Sequence, residues 1–220
     1  MSIKNVLKRI LFSEGDVQTI KSGPSKGMKT YFNTGTRSHH LLGLYEREIH
    51  TWLLKGMEKA ATLIDIGANQ GYFVLSFLKT DKKVIACEPG DVSSELISNA
   101  ALNGFALNKN FVLEKRLVGS EPGYVSIEEL IKDSTAPFFF LVDIDGGEYD
   151  LLQTCGPGFH HSQATWLFET HSTGLEAQCV QYLQQKGYIV TIIKNGWWRF
   201  LIPERRGKGH NRWLYAEYKS

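Results

Sequence analysis

Apolar residues along this chain come in short separate runs rather than one continuous stripe. Thr62 to Ile66 is mostly apolar and β-prone, interrupted by Asp65, and stops at a glycine. A strand covered on both faces reads that way. Tyr72 to Leu78 then reads as an apolar helix. Residues 84–87, 111–113, 137–142, 165–168, 188–193 and 212–218 predict further strands. Helices are expected over 91–102, with Asp91 as N-cap and Gly104 as C-cap, over part of 124–132, over 148–154, and over 175–186, closed by Gly187. Upstream, 45–58 reads as a helix, with Ile49, Trp52, Leu53 and Met57 at helical spacing. Residues 13–43 are rich in Gly, Ser, Thr and Lys and read as an irregular loop over the sheet. Residues 1–11 read as an amphipathic helix. Asn195-Gly196 signals a hairpin, with a strand expected over 197–202.

Strands alternating with helices imply an α/β fold: a doubly wound, mostly parallel, seven-stranded sheet. It should end in an antiparallel C-terminal hairpin and carry an N-terminal helical extension. No linker divides the sequence, so one domain is expected over 1–220, with the extension at 1–60 and the core at 61–220.

The turn after the first buried run narrows the ligand. Gly67 and Gly71 let the backbone bend sharply and approach a bound molecule. No Gly-Lys-Ser/Thr triplet follows Gly71, which excludes a P-loop. Asn69 stands where the dinucleotide fingerprint needs its second glycine. What remains is Asp-x-Gly-x-Asn-x-Gly, opened by Asp65. An acid there repels a pyrophosphate and suits a cationic amino-acid group. Glu88 ends the next run, near the position, about 20 residues on, where an acid accepts hydrogen bonds from ribose hydroxyls. A ligand with a ribose and an ammonium but no phosphate is S-adenosylmethionine (SAM). Asp65, Gly67, Asn69, Gly71, Tyr72 and Glu88 are therefore the expected cofactor-binding residues.

Composition adds little beyond a globular profile. A formal net charge of +2 is too small to imply a polyanionic partner. Cys87, Cys155 and Cys179 are odd in number and lack metal spacing, so they read as reduced thiols of a cytoplasmic protein. No apolar run approaches the roughly 18 residues of a membrane span. His39-His40 and His160-His161 have no partners at metal spacing and read as surface residues.

Three blocks resemble the signature of the FkbM-type methyltransferases, a branch of the class I SAM-dependent enzymes with a Rossmann-like core. They are Asp65 to Tyr72, then Cys87-Glu88-Pro89, then Asp143-Ile144-Asp145-Gly146-Gly147-Glu148. Gly43-Leu44-Tyr45-Glu46 is similar to that family's lead-in to the first strand. Asp145 and Gly147 depart mildly from the usual Asp-Val-Glu-Gly-Ala-Glu block. The resemblance implies O-methylation of a hydroxyl on a sugar, glycan or other small molecule.

Four predicted strands end in or beside acids: Asp65, Glu88, Asp143 and Glu169. In open α/β sheets the ligand sits at those carboxyl ends. Asp143, Glu169 and His171 are the catalytic candidates: Asp143 or His171 as the base, with Glu169 orienting or polarising. Asp145 reads as a helix-dipole partner, and for Glu148 that role and a place in the site both stay open. Asp143 and Glu169 also resemble the metal-ligand positions of catechol-type O-methyltransferases, so magnesium is a further expectation, with base and metal left open. The C-terminal stretch carries Trp197, Trp198, Arg199, Phe200, Arg205, Arg206, Lys208, His210 and Arg212. These either form a solvated hairpin with core-facing tryptophans or bind a nucleic acid, the alternative acceptor class. A cofactor-binding module without catalysis is the third reading. Oligomeric state is left open.

Overall fold

The computed structural model describes residues 15–31, 38–196 and 210–219. Two short strands come first, β1 (Val17–Thr19) and β2 (Lys29–Tyr31), paired antiparallel. Helices α1 (Ser38–Leu42) and α2 (His50–Lys59) follow, the second entered through a 3-10 turn at Arg47–Ile49. The remaining chain runs β3 (Thr62–Ile66), α3 (Tyr72–Leu78), β4 (Lys83–Cys87), α4 (Ser93–Leu102), β5 (Phe111–Glu114), α5 (Ile127–Ile131), β6 (Phe138–Val142), α6 (Glu148–Gln153), β7 (Ala164–Thr170), α7 (Thr173–Gln185), β8 (Tyr188–Ile193) and β9 (Arg212–Tyr218).

Strands β3 to β9 form one seven-stranded sheet in the order β5-β4-β3-β6-β7-β9-β8. The pairs β3–β4, β4–β5, β3–β6 and β6–β7 are parallel. Strand β9 lies antiparallel between β7 and β8, which is the expected C-terminal hairpin. The chain order reverses between β3 and β6, so their carboxyl ends form a crevice at a topological switch point.

The apolar runs are buried on both sides. Leu63, Phe139 and Leu141 join Leu53, Phe77 and Trp213 on one face. Ile64, Ile66, Phe140 and Val142 join Trp166, Phe168, Leu151 and Leu183 on the other. This alternation is the two-residue period of a strand, with each face closed by helices. Trp166 stacks on Phe140 with centroids 4.1 Å apart, and its indole N–H donates to the Tyr188 hydroxyl. Truncating an aromatic so placed costs about 3–5 kcal/mol.

Several local expectations change. Residues 13–43 are not simply an irregular loop, because 17–31 fold into the β1–β2 hairpin. Asn99 and Asn103 of α4 accept hydrogen bonds from the Tyr31 and Lys29 backbone N–H groups. The Ser25 hydroxyl donates to the Tyr72 carbonyl and Lys79 to Pro24 and Lys26, tying the hairpin to α3. The helix expected over 45–58 begins at His50, because Glu46 adopts a left-handed backbone, φ 47°. Asp91 does not cap α4. The cap position is Val92, and Asp91 instead accepts the Ser94 hydroxyl through its carbonyl. Caps with side-chain acceptors occur at Ser126 on α5 and Ser172 on α7. The helix expected over 1–11 and the strand over 197–202 lie outside the described residues.

Candidate active site

The turn from β3 to α3 is built by backbone geometry. Gly67 and Gly71 have φ of 89° and 87°, where a side chain is strained. A Cβ on Gly71 would sit 2.9 Å from Leu96, so its absence also lets α4 pack close. Asn69 takes φ 49°, tolerated by a short polar side chain, and its Oδ1 accepts the Gln70 N–H at 2.8 Å. The Gly67 and Ala68 N–H groups donate to the Cys87 carbonyl, fastening the turn to β4.

Glu88 stands just beyond β4, and its carboxylate clasps this turn. Oε2 accepts the Asn69 N–H and Oε1 the Gly90 N–H, each at 2.8 Å. Each carboxylate oxygen keeps a second acceptor direction.

A cleft of about 320 Å³ opens at the switch point. Asp65, Gly67, Ala68 and Asn69 form its floor, Asp143 one wall, and His40, Tyr45, Tyr72 and Phe73 another. Asp65 is buried, and burial with the neighbouring Glu88 charge pushes its carboxyl up to about 8. The Tyr72 hydroxyl is buried with no hydrogen-bond partner. Burial raises it far above the usual phenol value, so it stays a neutral donor or acceptor, in a residue that lines the cleft. His40 was expected on the surface and is instead buried, packed against Tyr45 at 4.3 Å and Tyr72 at 4.9 Å between centroids. Sequence reading missed His40, Phe73 and Gln70 as lining residues. The lead-in around Tyr45 was the signal available for that wall.

The catalytic candidates converge beside the cleft. Asp143 follows β6, Glu169 lies in β7, and His171 follows it. Nε2 of His171 lies 3.6 Å from Asp143, 3.6 Å from Asp145 and 3.7 Å from Glu169. Nδ1 meets the Glu148 carboxylate at 2.5 Å. Glu148 is fully buried, and its other carboxylate oxygen has no partner. It contacts this cluster through His171 and also stands in the first turn of α6, where no side-chain cap forms. Burial pulls the His171 pKa down, but the Glu148 hydrogen bond and the Glu169, Glu148 and Asp145 charges outweigh it and raise the value overall. Asn211 of the β8–β9 connection donates to Glu169 at 3.2 Å.

The three cysteines are buried, and none lines the cleft. Burial pushes Cys155 and Cys179 up to about 12 and Cys87 well above its ordinary value. Two basic residues of the C-terminal stretch are engaged inside the fold, since Arg212 and His210 both bond Glu176. The rest, 197–209, lies outside the described residues. No described helix is long and apolar enough to cross a membrane.

No protein-family model and no curated protein sequence matches the chain. Solved structures do. An rRNA methylase of Streptococcus thermophilus is 12% identical with a TM-score of 0.54, over 80% of this chain and 98% of that one. A SAM-dependent O-methyltransferase of Thermotoga maritima is 14% identical, TM-score 0.53, over 98% and 82%. The methyltransferase FkbM of Methylobacillus flagellatus is 14% identical, TM-score 0.56, over 82% and 55%. The fold is the Rossmann-like fold of class I SAM-dependent methyltransferases. At these identities the neighbours speak for architecture; one is named for rRNA, one for O-methylation, and the third for no acceptor.

Proposed function

We propose that the protein is a SAM-dependent methyltransferase acting on a hydroxyl of a sugar, glycan or related small molecule, in the manner its FkbM-like blocks imply. The observation that carries this reading is the adjacency of two features at one sheet edge. The glycine-turn cleft floored by buried Asp65 opens beside the Asp143–Glu169–His171 cluster.

The chain's residues fit SAM in donor chemistry. Asp65 lines the cleft and answers the SAM ammonium, Tyr72 offers a buried, unpartnered hydroxyl, and Glu88, outside the cleft lining but clasping its turn through the Asn69 N–H, answers the ribose hydroxyls. Bound SAM supplies a methyl on a cationic sulfur, which leaves as the sulfur takes back the bonding electron pair. The protein's part is to hold the acceptor oxygen in line, exclude water and receive the hydroxyl proton in the cluster. Asp143 reaches both the cleft and His171, so it stands where that proton leaves.

Calorimetric titration with SAM, followed by a methyl-transfer screen over glycans, small hydroxyl compounds and RNA, tests this reading. Transfer to RNA alone would replace the acceptor class. No SAM binding would remove the function. Glu88→Ala is expected to weaken SAM by about 1–3 kcal/mol, since it loses ribose acceptors and frees the Asn69 turn. Unchanged affinity would remove Glu88 from the site.

Asp65 gives a pH signature. Its folded pKa is raised to about 8 from 3.8, so its contribution to stability is complete below about pH 4 and lost as pH rises through 8. Asp65→Asn is therefore expected to gain melting temperature relative to the parent steadily from pH 5 to 8. An ammonium beside Asp65 draws its pKa down, so SAM binding at pH 7 should release a proton in the parent and less in Asp65→Asn. Titration in buffers of differing ionisation enthalpy reads this. Equal proton release in both proteins would mean Asp65 does not face the ligand.

A further inference from the structure

Resting on the methyltransferase reading for its role, we propose that Asp143, Glu169 and His171 bind one divalent first-row transition-metal ion, with Glu148 orienting the histidine. The ligand atoms of these three residues lie within 4.8 Å of one another. The His171 side chain is 7% exposed, and its Nε2 points among carboxylates without a hydrogen bond, at 3.6–3.7 Å. Those separations exceed a hydrogen bond. They are close to the spacing of neighbouring ligands on one ion, about 3.0–3.5 Å for bonds of about 2.0–2.2 Å.

Glu148 orients the ring. Fully buried, it meets Nδ1, and when that nitrogen carries the proton Glu148 accepts its hydrogen bond, the tautomer in which Nε2 offers its lone pair to a cation. A carboxylate behind a ligating histidine is the usual orienting arrangement at metal sites. Asn211 holds Glu169 in place through Oε1. Exposed Asp145 adds a further negative charge at the mouth. Magnesium prefers an all-oxygen octahedron, whereas one imidazole with two carboxylates suits manganese, iron or zinc. The magnesium expectation from the strand-end acids therefore gives way to a transition metal. Three protein ligands leave positions for an acceptor oxygen, whose proton such an ion makes easier to lose.

The test uses the full chain, stripped with EDTA and titrated with Mn²⁺, following loss of the free-ion EPR signal. One ion per chain is expected, held at least tenfold more tightly than Mg²⁺ in competition. His171→Ala should weaken Mn²⁺ at least tenfold. Glu148→Gln should weaken it 10- to 100-fold, although it touches no ion. Circular dichroism checks each variant's fold, and the loop position of His171 keeps the test available if the buried Glu148 variant misfolds. No Mn²⁺ uptake at millimolar concentration, or equal uptake by His171→Ala, would overturn the site. SAM titration of the same samples separates the two readings: intact SAM binding without metal uptake sinks only the metal site.

Discussion

Gly67→Val is expected to abolish SAM binding and to destabilise the fold. At φ 89° a Cβ on Gly67 would lie 2.0 Å from the Asp143 carbonyl oxygen and 2.9 Å from its carbon. Both contacts are with backbone, so no side-chain rotation relieves them. A β-branched residue there also carries strain of about 1–3 kcal/mol before the clash is counted. The turn and the β6 terminus must separate, and the Asp143 N–H bond to Ile66 goes with them. A fall in melting temperature of roughly 6–12 °C corresponds to about 3 kcal/mol in a chain of this size. Thermal melting and SAM calorimetry measure both effects. A variant with the parent's melting point and affinity would show that the turn is not held against β6. The mechanism is more severe than the sequence implies. From the motif alone, valine fills space left for the methionine group; in the fold it collides first with the protein.

Asp143→Asn is expected to lower turnover by about a hundredfold or more, the range lost with a general base, while SAM affinity changes far less. The substitution keeps shape and removes charge. Among the described residues, Asp143 is the one carboxylate shared by the cleft and the His171 cluster. As proton acceptor or as metal ligand it acts through that charge. Single-turnover rates with saturating SAM isolate the step. Normal turnover would discharge Asp143 from the chemistry and leave His171 as the remaining base candidate, with the fold unaffected.

Strand and helix identities were legible because they depend on local pattern. Thr62–Ile66 and Tyr72–Leu78 coincide with the expected elements, as do Tyr188–Ile193 and Arg212–Tyr218. Each has an apolar run closed by a glycine or polar turn, which is information carried within a few residues. The β1–β2 hairpin escaped because its three-residue strands are polar and depend on Asn99 and Asn103, about 70 residues away. Asp91 failed as a cap because the backbone turns at 90–93 and begins the helix after Val92.

By itself the sequence determined the doubly wound class, the glycine turn and the four acids at strand ends. Sheet order decided which of those acids meet. Placing β6 beside β3 puts Asp143 against the glycine turn, and β7 beyond it brings Glu169 and His171 to the same edge. Only the packing of α6 against that edge shows Glu148 buried under His171, and only the fold of the N-terminal segment brings His40 into the cleft. Periodicity reports which face a residue takes, but a site needs side chains from distant strands to converge. That convergence depends on strand neighbours and burial, which no local pattern encodes.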